Sequence, residues 1–144
     1  MSRAGTALRA FGTTALIFLP LDAAWLSLAG PALYRPALGQ LLAERPDFGA
    51  AALFYGLYIA GLVALVLRPF EAPRRVGAVA RDAAIYGLVT YATYDLTNQA
   101  TLAGWPWHLT ALDLVWGTTV TTVAATLSRL LRRQGRPIET RPAA

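Results

Sequence analysis

The chain has 144 residues, 56% of them hydrophobic and only 15% charged, where an ordinary soluble domain carries about 25% charged. Its thirteen basic residues, all arginine, face eight acidic ones for a net charge of +5. Cysteine is absent, which excludes disulfides, thiolate metal sites and cysteine nucleophiles, and the single histidine, His108, excludes a histidine-rich zinc site within one chain.

A bilayer core takes about 20 predominantly apolar residues in a helix, and four stretches reach that length. Residues 10–29 (AFGTTALIFLPLDAAWLSLA) hold one charge, Asp22. An acid inside the apolar run, and its full length, argue against a cleaved signal peptide. The loop 30–47 (GPALYRPALGQLLAERPD) has room for a short interfacial helix between Pro36 and Pro46. Residues 48–67 (FGAAALFYGLYIAGLVALVL) carry no charge. Residues 83–103 (AAIYGLVTYATYDLTNQATLA) hold Asp95 alone, and residues 109–128 (LTALDLVWGTTVTTVAATLS) hold Asp113 alone. The fold class is therefore all-α, an integral membrane four-helix bundle in which residues 1–131 form a single four-span domain. Residues 132–144 read as a polar, disordered tail.

The arginines set the orientation. Eleven flank the first span, the second loop and the C-terminal tail, while Arg35 and Arg45 lie in the first loop and the third has none. Positive charge favours the cytoplasmic side, so both termini are expected there, in a multi-pass protein. The same distribution excludes nucleic acid as a partner, because the charge flanks spans instead of forming a stripe with interleaved aromatics. Membrane lipids are the expected surroundings, and a homo-oligomer is compatible with the sequence.

Converted to depth at about 1.5 Å per residue, the topology places three acids in one layer. Asp22 lies roughly 9 Å below the outer surface, Asp95 about 12 Å and Asp113 about 6 Å. Each opposes insertion by roughly 2.5–3.5 kcal/mol, and no arginine lies within the spans. Three carboxylates in one apolar layer cannot all stay ionised, because desolvation and mutual repulsion both oppose the charge. A shared proton, a cation (a metal, or Arg35 or Arg45 folded down from the loop) or water in an outward-facing cleft would resolve the conflict. Helical spacing sets Tyr91, Asp95 and Asn98 on one face, with Tyr94 beside them. Asp113 shares a face with Thr110 and Gly117, with Trp116 adjacent, and Asp22 shares one with Trp25. Tyr55 and Tyr58 bring aromatic hydroxyls of the second span to similar depth. Tyrosine and tryptophan donors satisfy carboxylates while their rings remain at ease in lipid.

Plainer roles compete. Trp105 and Trp107 fit an interfacial aromatic belt, and Thr110-x-x-Asp113 fits a capping box. Asp22 follows Pro20, where a carboxylate repairs backbone freed by a kink. Asp95 and Asn98 fit interhelical glue.

The segments LDAAWL (21–26), FYGLYIAG (54–61), YATYDLTN (91–98), WP (105–106) and DLVWGT (113–118) resemble those of a bacterial family known as domain of unknown function 2177. That resemblance spans nearly the whole chain and implies a small four-span integral membrane protein, with no activity to carry over. The residues themselves favour an outward-facing acidic and aromatic pocket that binds or transforms a lipid-soluble small molecule. Asp95, Asp113 and Asp22 would supply the acid–base groups, and Tyr55, Tyr58, Tyr91, Tyr94, Asn98, Trp25 and Trp116 the walls. No metal set and no particular cofactor is indicated. A structural or accessory membrane subunit, or a proton or cation transporter, are the alternatives.

Overall fold

Ser2 opens the first helix by accepting the Gly5 N–H on its side chain at 3.1 Å, and α1 runs over Arg3–Ala29 in the computed structural model, which describes residues 2–68 and 74–134. Proline has no N–H to donate and crowds the preceding turn. At Pro31 the helix answers with a widened π turn, Gly30–Tyr34, in which the Arg35 N–H reaches back to the Gly30 carbonyl. A further turn, α2 (Arg35–Leu38), and a 3-10 turn, Gly39–Leu41, follow without a break. Gly39, at a φ of 49°, supplies the left-handed conformation that ends the run. This differs from the expected interfacial helix between Pro36 and Pro46. Pro36 sits in a first turn, where a missing N–H costs little, so the helical turns continue from α1 through Leu41, in the first half of that interval, and residues 42–47 are non-helical.

Asp47 caps α3 (Phe48–Gly61), accepting the Gly49 and Ala50 N–H groups at 2.9 and 3.0 Å. A second π segment, Leu62–Leu67, continues that span. The last two helices, α4 (Val76–Thr101) and α5 (Trp107–Gln134), pack most intimately. Glycines set their spacing: a Cβ on Gly87 would stand 2.5 Å from the Gly117 carbonyl oxygen, and one on Gly117 would enter the Tyr91 ring. Because α5 runs through Gln134, residues 132–134 are helical and do not belong to the expected tail; residues 135–144 of that tail lie outside the described residues.

Polarity runs opposite to that of a soluble domain. Leu16, Leu57, Val89 and Val115, one on each long helix, are between 57% and 80% exposed, whereas Thr14, Asp22, Asp95, Asp113, Thr121 and Ser128 are buried. Apolar outside and polar or small inside is the arrangement of helices solvated by lipid. Two segments, Arg3–Leu41 and Phe48–Leu67, are long and apolar enough to cross a membrane on composition alone. The exposed threonines that dilute α4 and α5 are satisfied within their own helices. Exposed Thr93, Thr97, Thr101 and Thr119 each donate to the carbonyl four residues back, leaving their methyl groups outward. The fold is an all-α four-helix membrane bundle, as the sequence leads one to expect.

Candidate functional site

The bundle is filled at its waist and open at one end. Phe18, Tyr58, Ile59 and Leu62 are buried in a continuous apolar core, with the Tyr91 ring packed against it. Tyr58 closes this floor: its hydroxyl lies 2.6 Å from Thr121 Oγ1, and its carbonyl accepts from the Tyr86 hydroxyl at 3.1 Å. Beyond it opens a cavity of about 1000 Å³.

Every proposed wall and acid residue except Asn98 lines this cavity: Asp22, Asp95, Asp113, Trp25, Trp116, Tyr55, Tyr58, Tyr91 and Tyr94. Asn98 is half-buried, three residues beyond Asp95, and does not line it. The three carboxyl groups come from α1, α4 and α5, and each is at least 94% buried, with exposures of 5%, 0% and 6% for Asp22, Asp95 and Asp113.

Their surroundings differ sharply. Asp22 is fully engaged, its Oδ2 accepting from the Tyr55 hydroxyl at 2.5 Å and its Oδ1 from the Trp116 indole at 3.0 Å. It thereby ties α1 to α3 and α5, and its acceptors are spent on side chains instead of on backbone freed at Pro20. Asp113 accepts from the Tyr34 hydroxyl. Tyr34 in turn accepts from the Trp25 indole at 3.1 Å, and the Trp25 and Trp116 rings stack at 4.6 Å with 10° between planes. Asp95 accepts no hydrogen bond on either carboxyl oxygen. What it faces is the Asp113 carboxyl. Two carboxyl groups facing each other in a low-dielectric layer repel if both are charged, so the pair favours a cationic or hydrogen-bond-donating partner.

The sequence reading overlooked Tyr34. Pro31 and Pro36 mark its segment as loop, and only the π turn carries the helix far enough to swing the hydroxyl over Asp113. Trp105 likewise belongs to the site and not to a belt. It is buried, lines the cavity, donates to Thr110 Oγ1 at 3.1 Å and meets Tyr94 edge-on at 5.9 Å. Trp107 is 67% exposed and retains the belt position. The capping box also gives way. With α5 starting at Trp107, Thr110 lies inside the helix, its hydroxyl donating to Gln99 Oε1 at 3.3 Å. Of the loop arginines, Arg35 reaches the cavity, at its exposed mouth, together with Glu44.

Chemically the site offers a paired-carboxyl floor, aromatic walls and an apolar remainder. No group of three or more carboxyl or imidazole side chains is placed to hold a metal ion among the described residues. Neither a curated protein nor a solved structure matches the chain. Residues 7–130 match the model of a family described as predicted membrane protein, DUF2177, and the chain belongs to that family.

Proposed function

We propose that this protein binds a lipid-soluble small molecule in the cavity between α1, α3, α4 and α5, and that the Asp95–Asp113 pair holds or protonates its polar end. The observation that carries this reading is the convergence of three buried acids and the six aromatic residues Trp25, Tyr55, Tyr58, Tyr91, Tyr94 and Trp116, from all four long helices, on one space of about 1000 Å³. That is the upper part of the range of small-molecule sites, roughly 300–1000 Å³. Asp113, the less buried of the pair, would exchange a proton with a bound molecule while Asp95 holds or returns it, the arrangement that suits general acid–base work. Asp22 is placed to hold the walls, since both of its oxygens already have donors.

In this reading all four helices cross the bilayer of a bacterial inner membrane, with both termini cytoplasmic and the cavity toward the outer face. The arginines favour that sense: Arg74, Arg81, Arg129 and Arg132 gather at the end opposite the cavity. A proton or cation path finds less support, because Phe18, Ile59, Leu62 and the Tyr58 ring fill the bundle below the acids.

Native mass spectrometry of the purified protein tests the reading. Gly30 lines the cavity, and a Cβ added there meets no atom within 4 Å, so Gly30→Phe is the variant chosen to fill the space. The wild type is expected to carry one small-molecule adduct that the variant lacks. Equal adducts on both would mean lipid on the outer surface and would overturn the proposal.

A further inference from the structure

The chemistry of the cavity floor narrows the kind of molecule it takes; this step rests on the binding reading above. Both oxygens of Asp95 are buried and accept nothing from the protein. Even a proton held between Asp95 and Asp113 would serve only one of them and would leave the other without a donor. A buried acceptor without a donor costs roughly 1–3 kcal/mol, and a bound donor would recover that cost. Tyr34 is committed to Asp113, Tyr55 and Trp116 to Asp22 and Trp25 to Tyr34, and the Tyr91 and Tyr94 hydroxyls, which also line the cavity, do not reach Asp95. Among the described residues, the only charged groups at the mouth are Arg35 and Glu44, of opposite sign, and Arg35 is exposed. A second anion on the floor would meet three carboxyl groups and no cation.

The walls describe the other end of the ligand. Phe54 on α3 and Tyr94 on α4 both line the cavity, yet they remain 48% and 61% exposed. Below them the Leu62–Leu67 segment packs on α1, α4 and α5, whereas the outer part of α3 leans chiefly on α1. The cavity is therefore open sideways between α3 and α4, at a depth where the surroundings are hydrocarbon.

We infer that the ligand is a membrane amphiphile whose polar end is a hydrogen-bond donor without negative charge, a hydroxyl or an ammonium, seated on Asp95 and Asp113, with its chain leaving between Phe54 and Tyr94. Fatty acids and phosphate-headed lipids are the wrong sign for this floor.

The test uses three probes of one chain length, dodecanol, dodecylammonium and dodecanoate, titrated into the full chain in nanodiscs at matched mole fraction in the bilayer. Trp25, Trp105 and Trp116 all line the cavity, so a Trp107→Phe background confines the fluorescence readout to it. Dodecanol and dodecylammonium are expected to saturate the signal at least tenfold below dodecanoate. Asp95→Asn, whose amide can itself donate to Asp113, should narrow that preference while leaving the protein folded, since Asp22 and Asp113 still oppose an anion. Equal response to all three probes, or a preference for dodecanoate, would overturn the assignment of the polar end while leaving the cavity as a binding site. No saturable response to any probe, alongside indistinguishable adducts on wild type and Gly30→Phe, would instead remove the binding reading itself.

Discussion

The two ends of the bundle handle charge in opposite ways. At the arginine end every interaction described is local and matched. Arg74 donates to the Val66 carbonyl at 2.9 Å and to Asp82, Arg81 Nε lies 3.0 Å from the same carboxylate, and Arg129 reaches the Arg74 carbonyl at 3.1 Å. Thr14 and Ser128 close the helices beneath with a 2.9 Å bond. At the acid end, three carboxyl groups are carried into a low-dielectric layer, and one is left with no donor at all. A sequence selected only for a stable bundle would place leucine at Asp95, because replacing a buried unsatisfied polar group by an apolar one is neutral or favourable. The contrast separates an end built for stability from one whose arrangement the proposed binding role would explain.

The largest effect should come from the waist that joins both ends. Gly87→Val drives a side chain into the Gly117 carbonyl and Thr121. Overpacking of this kind costs about 1–3 kcal/mol or more, and thermal unfolding in detergent should show both ends failing together. Next comes Asp22→Ala, which leaves the Tyr55 hydroxyl and Trp116 indole without their acceptor. A loss of about 1–2 kcal/mol is expected from the worth of interhelical hydrogen bonds in membranes, with the stacked tryptophans reporting it as a change in near-UV circular dichroism. Thr14→Val, on the closed side, removes one bond to Ser128 and should cost about 0.6 kcal/mol in the same unfolding assay.

Asp82 gives a pH test of the arginine end. Its hydrogen bond from Arg74, supported by Arg81, holds its carboxyl below the usual carboxylate range. A group with a depressed folded value stabilises fully above its unfolded value and loses that contribution as pH falls through the folded one. The stability gap between wild type and Asp82→Asn, about 0.2–1 kcal/mol for a solvent-facing pair, should therefore stay constant from about pH 7 to 5 and close only below about pH 4. The smallest stability effect is expected where the functional one is greatest. Asp95→Asn removes no bond given by the chain, so its melting temperature should match or exceed that of the wild type.

Much of this was legible in the sequence, for identifiable reasons. Spans could be read because lipid demands long apolar helices, and the acids stood out because each is costly there. Converting span position to depth was enough to bring Asp22, Asp95 and Asp113 to one cavity, since helices in a membrane share a common axis. Prolines misled. Pro31 and Pro36 look like loop residues, so the continuation of α1 through a π turn, and with it Tyr34, stayed hidden. Trp105 was obscured by its position, since an aromatic near a span end fits an interface equally well until burial is known. Asn98 was placed by helical spacing alone, and a stripe of i, i+4 and i+7 drifts around the helix enough to carry its last member off the cavity wall.

A crystal structure grown from a monoolein mesophase would test the central claim most directly, because that host lipid is itself an uncharged, hydroxyl-headed amphiphile. The account expects Asp22, Asp95 and Asp113 around one cavity, with a lipid hydroxyl within hydrogen-bonding distance of Asp113 and its chain between Phe54 and Tyr94. Carboxyl groups turned toward separate surroundings, with the space between α1, α3, α4 and α5 filled by side chains, would contradict it.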